Sequence, residues 1–156
     1  MYLAAALVLA ASVAPVSGGL TSYDPRVPAG ARASVVVAPI GGGTVVMLRT
    51  TGLLPDREYG AHAHVNPCGP TGADAGAHFQ HVQGGATDPA FANPRNELWL
   101  DFTTDAHGRG YAVARVDWRF GERRAGSVVL HEEHTHTEPG HAGTAGARLG
   151  CLSVPF

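Results

Sequence analysis

The stretch YGAHAHVNPCGPTGADAGAHFQH, residues 59–81, holds four histidines and one cysteine in a chain whose charged content is only 15%. Residues two apart on a strand face the same way. His62 and His64 therefore set two imidazoles side by side, while Ala61, Ala63 and Val65 point to the other face. Two imidazoles on a rigid strand are half of a transition-metal site. His78, in GAHFQH, lies in the loop that follows, and that loop can fold back to supply a third nitrogen. His131 ends the apolar run SVVLH, where a strand leaves the core, and offers a fourth. Four neutral imidazoles with no thiolate and no obligatory carboxylate suit copper by ligand type and by the Irving–Williams order. Zinc is the nearest competitor on the same ligands. His81, His134, His136 and His141 read as solvated loop histidines. The segment HEEHTHTEPGH that holds the last three could also gather copper weakly or form a separate metal site.

The elements that must hold these residues are strands. The chain has 156 residues, with 21 glycines and 11 prolines in no regular period, which suits short strands joined by turns. ARASVVVAPI, GGGTVVMLRTTGLLP, REYGAHAHV, ELWLDFTTD, GYAVARVDWRF, RRAGSVVLHE and ARLGCLSVPF read as strands, bounded by glycine and proline turns. In ELWLDFTTD, Leu98, Leu100 and Phe102 share one face; Glu97, Trp99, Asp101 and Thr103 share the other. Seven or eight such strands predict an all-β antiparallel sandwich or barrel. Two long loops, residues 66–96 and 132–146, interrupt the pattern, and loops of that length in a compact β domain are usually functional. No helical period of useful length and no repeat occurs after the N-terminal run. The expected organisation is a leader with a short first strand at residues 19–30 and one β domain at 31–156.

The opening MYLAAALVLAASVAPVSGG is too short for a comfortable bilayer span and reads as a secretory signal peptide, residues 1–18. Ser12-Val13-Ala14 or Val16-Ser17-Gly18 would serve for cleavage. A basic n-region is missing, since the first arginine is Arg26, and the competing reading is a hydrophobic first strand. No cysteine follows the run to carry a lipid, so export without a stable membrane anchor is expected. The formal charge of −2 gives no basic excess for nucleic acid and no acidic tail. Cys68 and Cys151, an even and widely spaced pair, read as one disulfide in an exported protein, the competing reading being two buried thiols.

Taken together, YGAHAHVNPCG, AGAHFQH, SVVLHE and GTAGARLGCLSVPF resemble the copper/zinc superoxide dismutases in type and order, over about residues 31–156. The resemblance implies an eight-stranded, immunoglobulin-like Greek-key β-sandwich with two functional loops. It implies that His62, His64, His78 and His131 are copper ligands, with His78 matching the histidine that bridges copper and zinc in two-metal members. It pairs Cys68 with Cys151 and makes Arg148 the arginine beside the copper that attracts and orients superoxide. The activity implied is conversion of superoxide to oxygen and hydrogen peroxide, with His78 delivering a proton. Arg123 and Arg124 could add to anion capture, although their position also suits a solvated turn.

The departures matter as much. After His78 only His81 precedes the next strand, too soon for the usual zinc spacing, and NPRNELWLDF stands where a further histidine and aspartate belong. The loop from His131 to Arg148 is short and carries little of the charged segment expected there. The chain thus resembles a copper-only branch, with a retained zinc site not favoured. A ligating histidine needs a partner on its other ring nitrogen, and Glu97, or Asp101 as second choice, is expected to accept that bond from His78. The reading from a different class is a non-catalytic copper-binding or copper-buffering protein on the same fold. The oligomeric state stays open.

Overall fold

The computed structural model describes residues 13–156. Residues 1–12 of the expected signal peptide lie outside the described part. Among the described residues no helix is long and apolar enough to cross a membrane.

Among the described residues nine strands form two antiparallel sheets. They are β1 (Val16–Gly19), β2 (Thr21–Ser22), β3 (Arg32–Ile40), β4 (Gly43–Thr51), β5 (Glu58–His64), β6 (Phe102–Thr103), β7 (Gly110–Val116), β8 (Ser127–His131) and β9 (Arg148–Ser153). One sheet runs β1-β3-β4-β7 and the other β2-β9-β8-β5-β6. β1 and β2 are two halves of one N-terminal strand that changes sheet at Leu20, so the sandwich has eight strands when they are counted as one. β1 begins at Val16, ahead of the expected leader, because Val16–Gly19 pairs with Val35–Arg32 along the edge of β3.

Alternation builds the core. In β7, Gly110, Ala112, Ala114 and Val116 are buried while Tyr111, Val113 and Arg115 face out. β3 and β4 add Ala33, Val35, Val46 and Leu48; β5 and β8 add Tyr59, Ala61, Ala63, Val128 and Leu130. Each of the larger of these side chains contributes about 1.5–3 kcal/mol by leaving water. β8 is buried at every position, and β5 at every position after Glu58. Their second face is covered by the loops that follow β5 and β8, so side chains there leave water without entering the central core. His62 and His64 from β5 and His131 from β8 occupy that covered face.

The segment read as the strand ELWLDFTTD keeps its alternation, with Leu98, Leu100 and Phe102 buried, but is regular strand only at Phe102–Thr103. Leu100 N–H still donates to Ala61 C=O (2.7 Å), whereas Ala61 N–H donates to the Asp101 side chain (3.1 Å). A carboxylate thus replaces the backbone acceptor and interrupts the ladder. The other face of this segment is also not free: Glu97 is only 1% exposed. Cys68 and Cys151 are bonded to each other and tie the loop after β5 to β9 across 83 positions of sequence.

Candidate metal centre

Strand register brings three of the histidines together. His62 pairs with Val129, and Gly60 with His131, on adjacent strands β5 and β8, while the loop after β5 returns to form a bridge between His64 and His78. One ring nitrogen from each of His62, His64, His78 and His131 lies within 4.8 Å of the other three. Among the described residues this is the one such group of three or more histidine, cysteine or acidic side chains.

The far side of each ring is largely engaged. His64 Nδ1–H donates to Gly76 C=O (3.0 Å), leaving Nε2 toward His131 Nε2 at 3.2 Å. His78 Nδ1–H donates to Glu97 Oε2 (3.0 Å). His62 Nε2 lies 2.6 Å from the Thr135 hydroxyl, and His62 Nδ1 is buried without a partner, as is His131 Nδ1. His62 Nδ1, buried without a partner, and the facing Nε2 atoms of His64 and His131 set nitrogens close together inside the cluster, which fits a borderline-soft cation, and the all-nitrogen donor set fits copper or zinc.

Burial lowers all three strand histidines, and the charge that a protonated His78 would place beside them adds to it. His64 falls to about 2, His131 to about 3 and His62 well below its ordinary value. They are neutral at physiological pH, the form a metal requires. His78 is the most accessible of the four, half-buried with 17% of its side chain accessible.

Glu97 is saturated with donors. Its Oε2 accepts from His78 Nδ1–H and from Trp99 Nε1–H (2.8 Å), and its Oε1 accepts from Gln80 Nε2–H (2.9 Å). Asp101, the second choice for His78, lies against a different histidine through Thr135 (Thr135 Oγ1 to Asp101 Oδ1, 2.7 Å). Thr135, Trp99 and Gln80 escaped the sequence reading. Trp99 shares a face with Glu97 two residues away, a signal that was available. Thr135 carried none, because its partners are 73 and 34 positions distant.

His78, His131 and Glu97 line a cleft of about 560 Å3, together with Arg123 and Arg148. Arg148 is half-buried, and its Nη1–H donates to Gly72 C=O (2.8 Å). Gly72 approaches so closely that a Cβ there would meet Arg148 Cβ at 2.9 Å. Burial lowers the Arg148 guanidinium from its ordinary value, but a guanidinium stays charged. Arg123 lies over the Phe79 ring at 5.0 Å, whereas Arg124 donates to Phe156 C=O (2.8 Å) and does not line the cleft.

The remaining histidines are elsewhere. His81 is exposed and stacks on Trp118, with ring centres 4.7 Å apart. His134 Nε2–H donates to Phe102 C=O (3.1 Å), and His136 lies between Glu133 and Glu138, 3.0 Å from each. His141 is exposed on the same loop.

No family model matches the chain, and no curated protein matches it. Solved structures do. A Cu/Zn superoxide dismutase from Brucella abortus superposes with a TM-score of 0.62 at 19% identity, over 92% of this chain and 100% of that one. A double mutant of an SOD-like protein from Bacillus subtilis superposes with a TM-score of 0.58 at 16% identity, over 80% of this chain and 89% of that one. The chain has the Greek-key β-sandwich fold of the Cu/Zn superoxide dismutases, and its four-histidine cluster and its disulfide fit that family.

Proposed function

We propose that the protein is an exported superoxide dismutase that converts superoxide to oxygen and hydrogen peroxide at a copper held by His62, His64, His78 and His131. The observation that carries this reading is a four-imidazole cluster whose three strand histidines are buried and whose fourth, His78, opens onto a cleft that also holds Arg148. Bound copper would supply a one-electron couple between two accessible oxidation states, which zinc lacks.

The chain's own residues do the rest. Arg148 anchors the anion; Gly72 C=O fixes its guanidinium, and its charge does not depend on pH. The net charge of −2 opposes an anion at long range, so capture relies on local focusing around Arg148, with Arg123 on the same cleft. Glu97 keeps a proton on His78 Nδ1 and so keeps the Nε2 lone pair inward. His78 is the cluster member open to the cleft, and an imidazole is the side chain suited to carrying a proton near neutrality, so we assign proton delivery to His78 Nε2. Glu97 also supports the copper-only reading, because the ring nitrogen that would face a bridged zinc faces a buried carboxylate. Export is proposed from the apolar N-terminal run, and a disulfide suits an oxidising compartment.

Metal content and superoxide turnover, measured together on the purified mature protein, test the reading. One copper per chain, no zinc and fast turnover are expected. Copper without turnover would replace the enzyme with a copper-handling protein, and equimolar zinc would remove the copper-only assignment.

A further inference from the structure

Thr135 lies in the loop between β8 and β9 and touches the cluster from outside. Its hydroxyl is 2.6 Å from His62 Nε2 and 2.7 Å from Asp101 Oδ1, and its backbone N–H donates to Asp101 Oδ2 at 2.6 Å. Asp101 Oδ1 also accepts the N–H of Ala61, the residue before His62. Asp101 itself stands 3.9 Å from His62 Nε2, too far for a direct hydrogen bond.

Counting protons fixes the direction of this chain. A carboxylate only accepts, and a hydroxyl has one hydrogen to give. The Thr135 hydrogen therefore goes to Asp101, and toward His62 the hydroxyl can only accept. His62 must carry its hydrogen on Nε2, which leaves the lone pair of the neutral ring on Nδ1, the buried atom without a partner. His64 and His78 are set the opposite way, with hydrogen on Nδ1, by Gly76 C=O and Glu97.

The geometry points to Thr135 as a positioning residue that relays the Asp101 carboxylate to His62, holds that ring as the Nε2–H tautomer and turns its Nδ1 lone pair to the metal. The inference rests on the proposed function only in taking His62 for a ligand. The same loop lines the cleft with Gly143, Thr144, Ala145 and Gly146, so the contact that places this wall also orients a ligand. A loop pin alone would need nothing more than the Thr135 N–H bond to Asp101. The hydroxyl is what reaches the imidazole.

Thr135→Val separates the two roles, since it keeps the backbone bond and the side-chain shape and deletes the hydroxyl. Thr135→Ser restores the hydroxyl. In the metal-free protein at neutral pH, nitrogen-15 spectra of the imidazoles should show the His62 proton on Nε2 and protected from exchange in wild type and Thr135→Ser. That protected resonance should vanish in Thr135→Val while the backbone amide spectrum stays folded. Withdrawal of Cu(II) by a chelator should be about 10–100-fold faster from Thr135→Val and unchanged in Thr135→Ser. A wild-type proton on Nδ1, or a protected Nε2 resonance that survives in Thr135→Val, overturns the relay. The resonance arm uses neither metal nor turnover, so a lack of dismutation in all three proteins would count against the proposed enzyme alone.

Discussion

His78 Nδ1 and Glu97 Oε2 lie 3.0 Å apart, and the carboxylate is 1% exposed yet accepts from three donors. A buried charge is tolerated only when it is hydrogen-bonded on this scale. Glu97→Gln keeps the shape but turns an NH2 group toward His78, Trp99 or Gln80, so at least one buried donor loses its acceptor. We expect the metal-free variant to lose about 1–3 kcal/mol of stability by urea unfolding. Copper affinity measured by competition should fall about 10–100-fold. An unchanged copper affinity would remove Glu97 as the partner that orients His78.

The strand histidines make the metal-free protein acid-sensitive. His64 and His131 are held at about 2 and about 3, and His62 is also lowered, against about 6.5 for an unfolded histidine. Between those values the unfolded chain binds protons that the folded chain refuses. Stability therefore rises with pH through this window and is lost as pH falls from about 6.5 toward about 3. Each ring that stays neutral in the folded chain steepens that slope. His136 works in the opposite sense, since its bonds to Glu133 and Glu138 raise it, but it is solvent-screened. Urea midpoints of the metal-free protein should fall steadily from pH 7 to pH 4, and a flat series would contradict the buried neutral cluster. Copper should suppress the fall until protons displace it.

Breaking the disulfide should act on both stability and the cleft. The bond between Cys68 and Cys151 closes a loop of 83 residues, and the chain-entropy model puts its contribution at about 4–5 kcal/mol as an upper figure. The loop it anchors carries Gly72, whose C=O holds Arg148. Cys68→Ser with Cys151→Ser should lower the unfolding midpoint and also lower kcat/KM more than kcat, because anion capture loosens. A loss of stability with kcat/KM intact would show that Arg148 keeps its position without the bond.

What was legible in the sequence follows the range of each interaction. Alternation in GYAVARV marks which side chains of β7 enter the core, since neighbours along a strand decide it. His62 and His64 declare themselves by a spacing of two, and the fold gathers them with His78 and His131. The strand read through residues 97–105 breaks because Asp101 takes a backbone N–H from β5, a substitution that local pattern does not carry. The start of β1 at Val16 depends on an available edge of β3, and the place of Thr135 depends on a loop crossing back to the sheet. Both are consequences of topology.

Arg148 and Arg123 offer a comparison within one cleft. Arg148 is half-buried and fixed by Gly72 C=O, whereas Arg123 is exposed and lies over Phe79. A fixed charge at the inner wall acts on an anion with little screening, and an exposed one is damped by salt. Arg148→Met should lower kcat/KM for superoxide about tenfold or more at every salt concentration. Arg148→Lys should recover part of that, because an ammonium keeps the charge without the planar fork. Arg123→Gln should cost less, and its effect should fade as ionic strength rises past about 0.15 M, where the screening length is about 8 Å. Stopped-flow decay of superoxide across a salt series separates the two. Equal losses with equal salt dependence would assign both arginines to steering and would leave Arg148 without a role at the reacting centre.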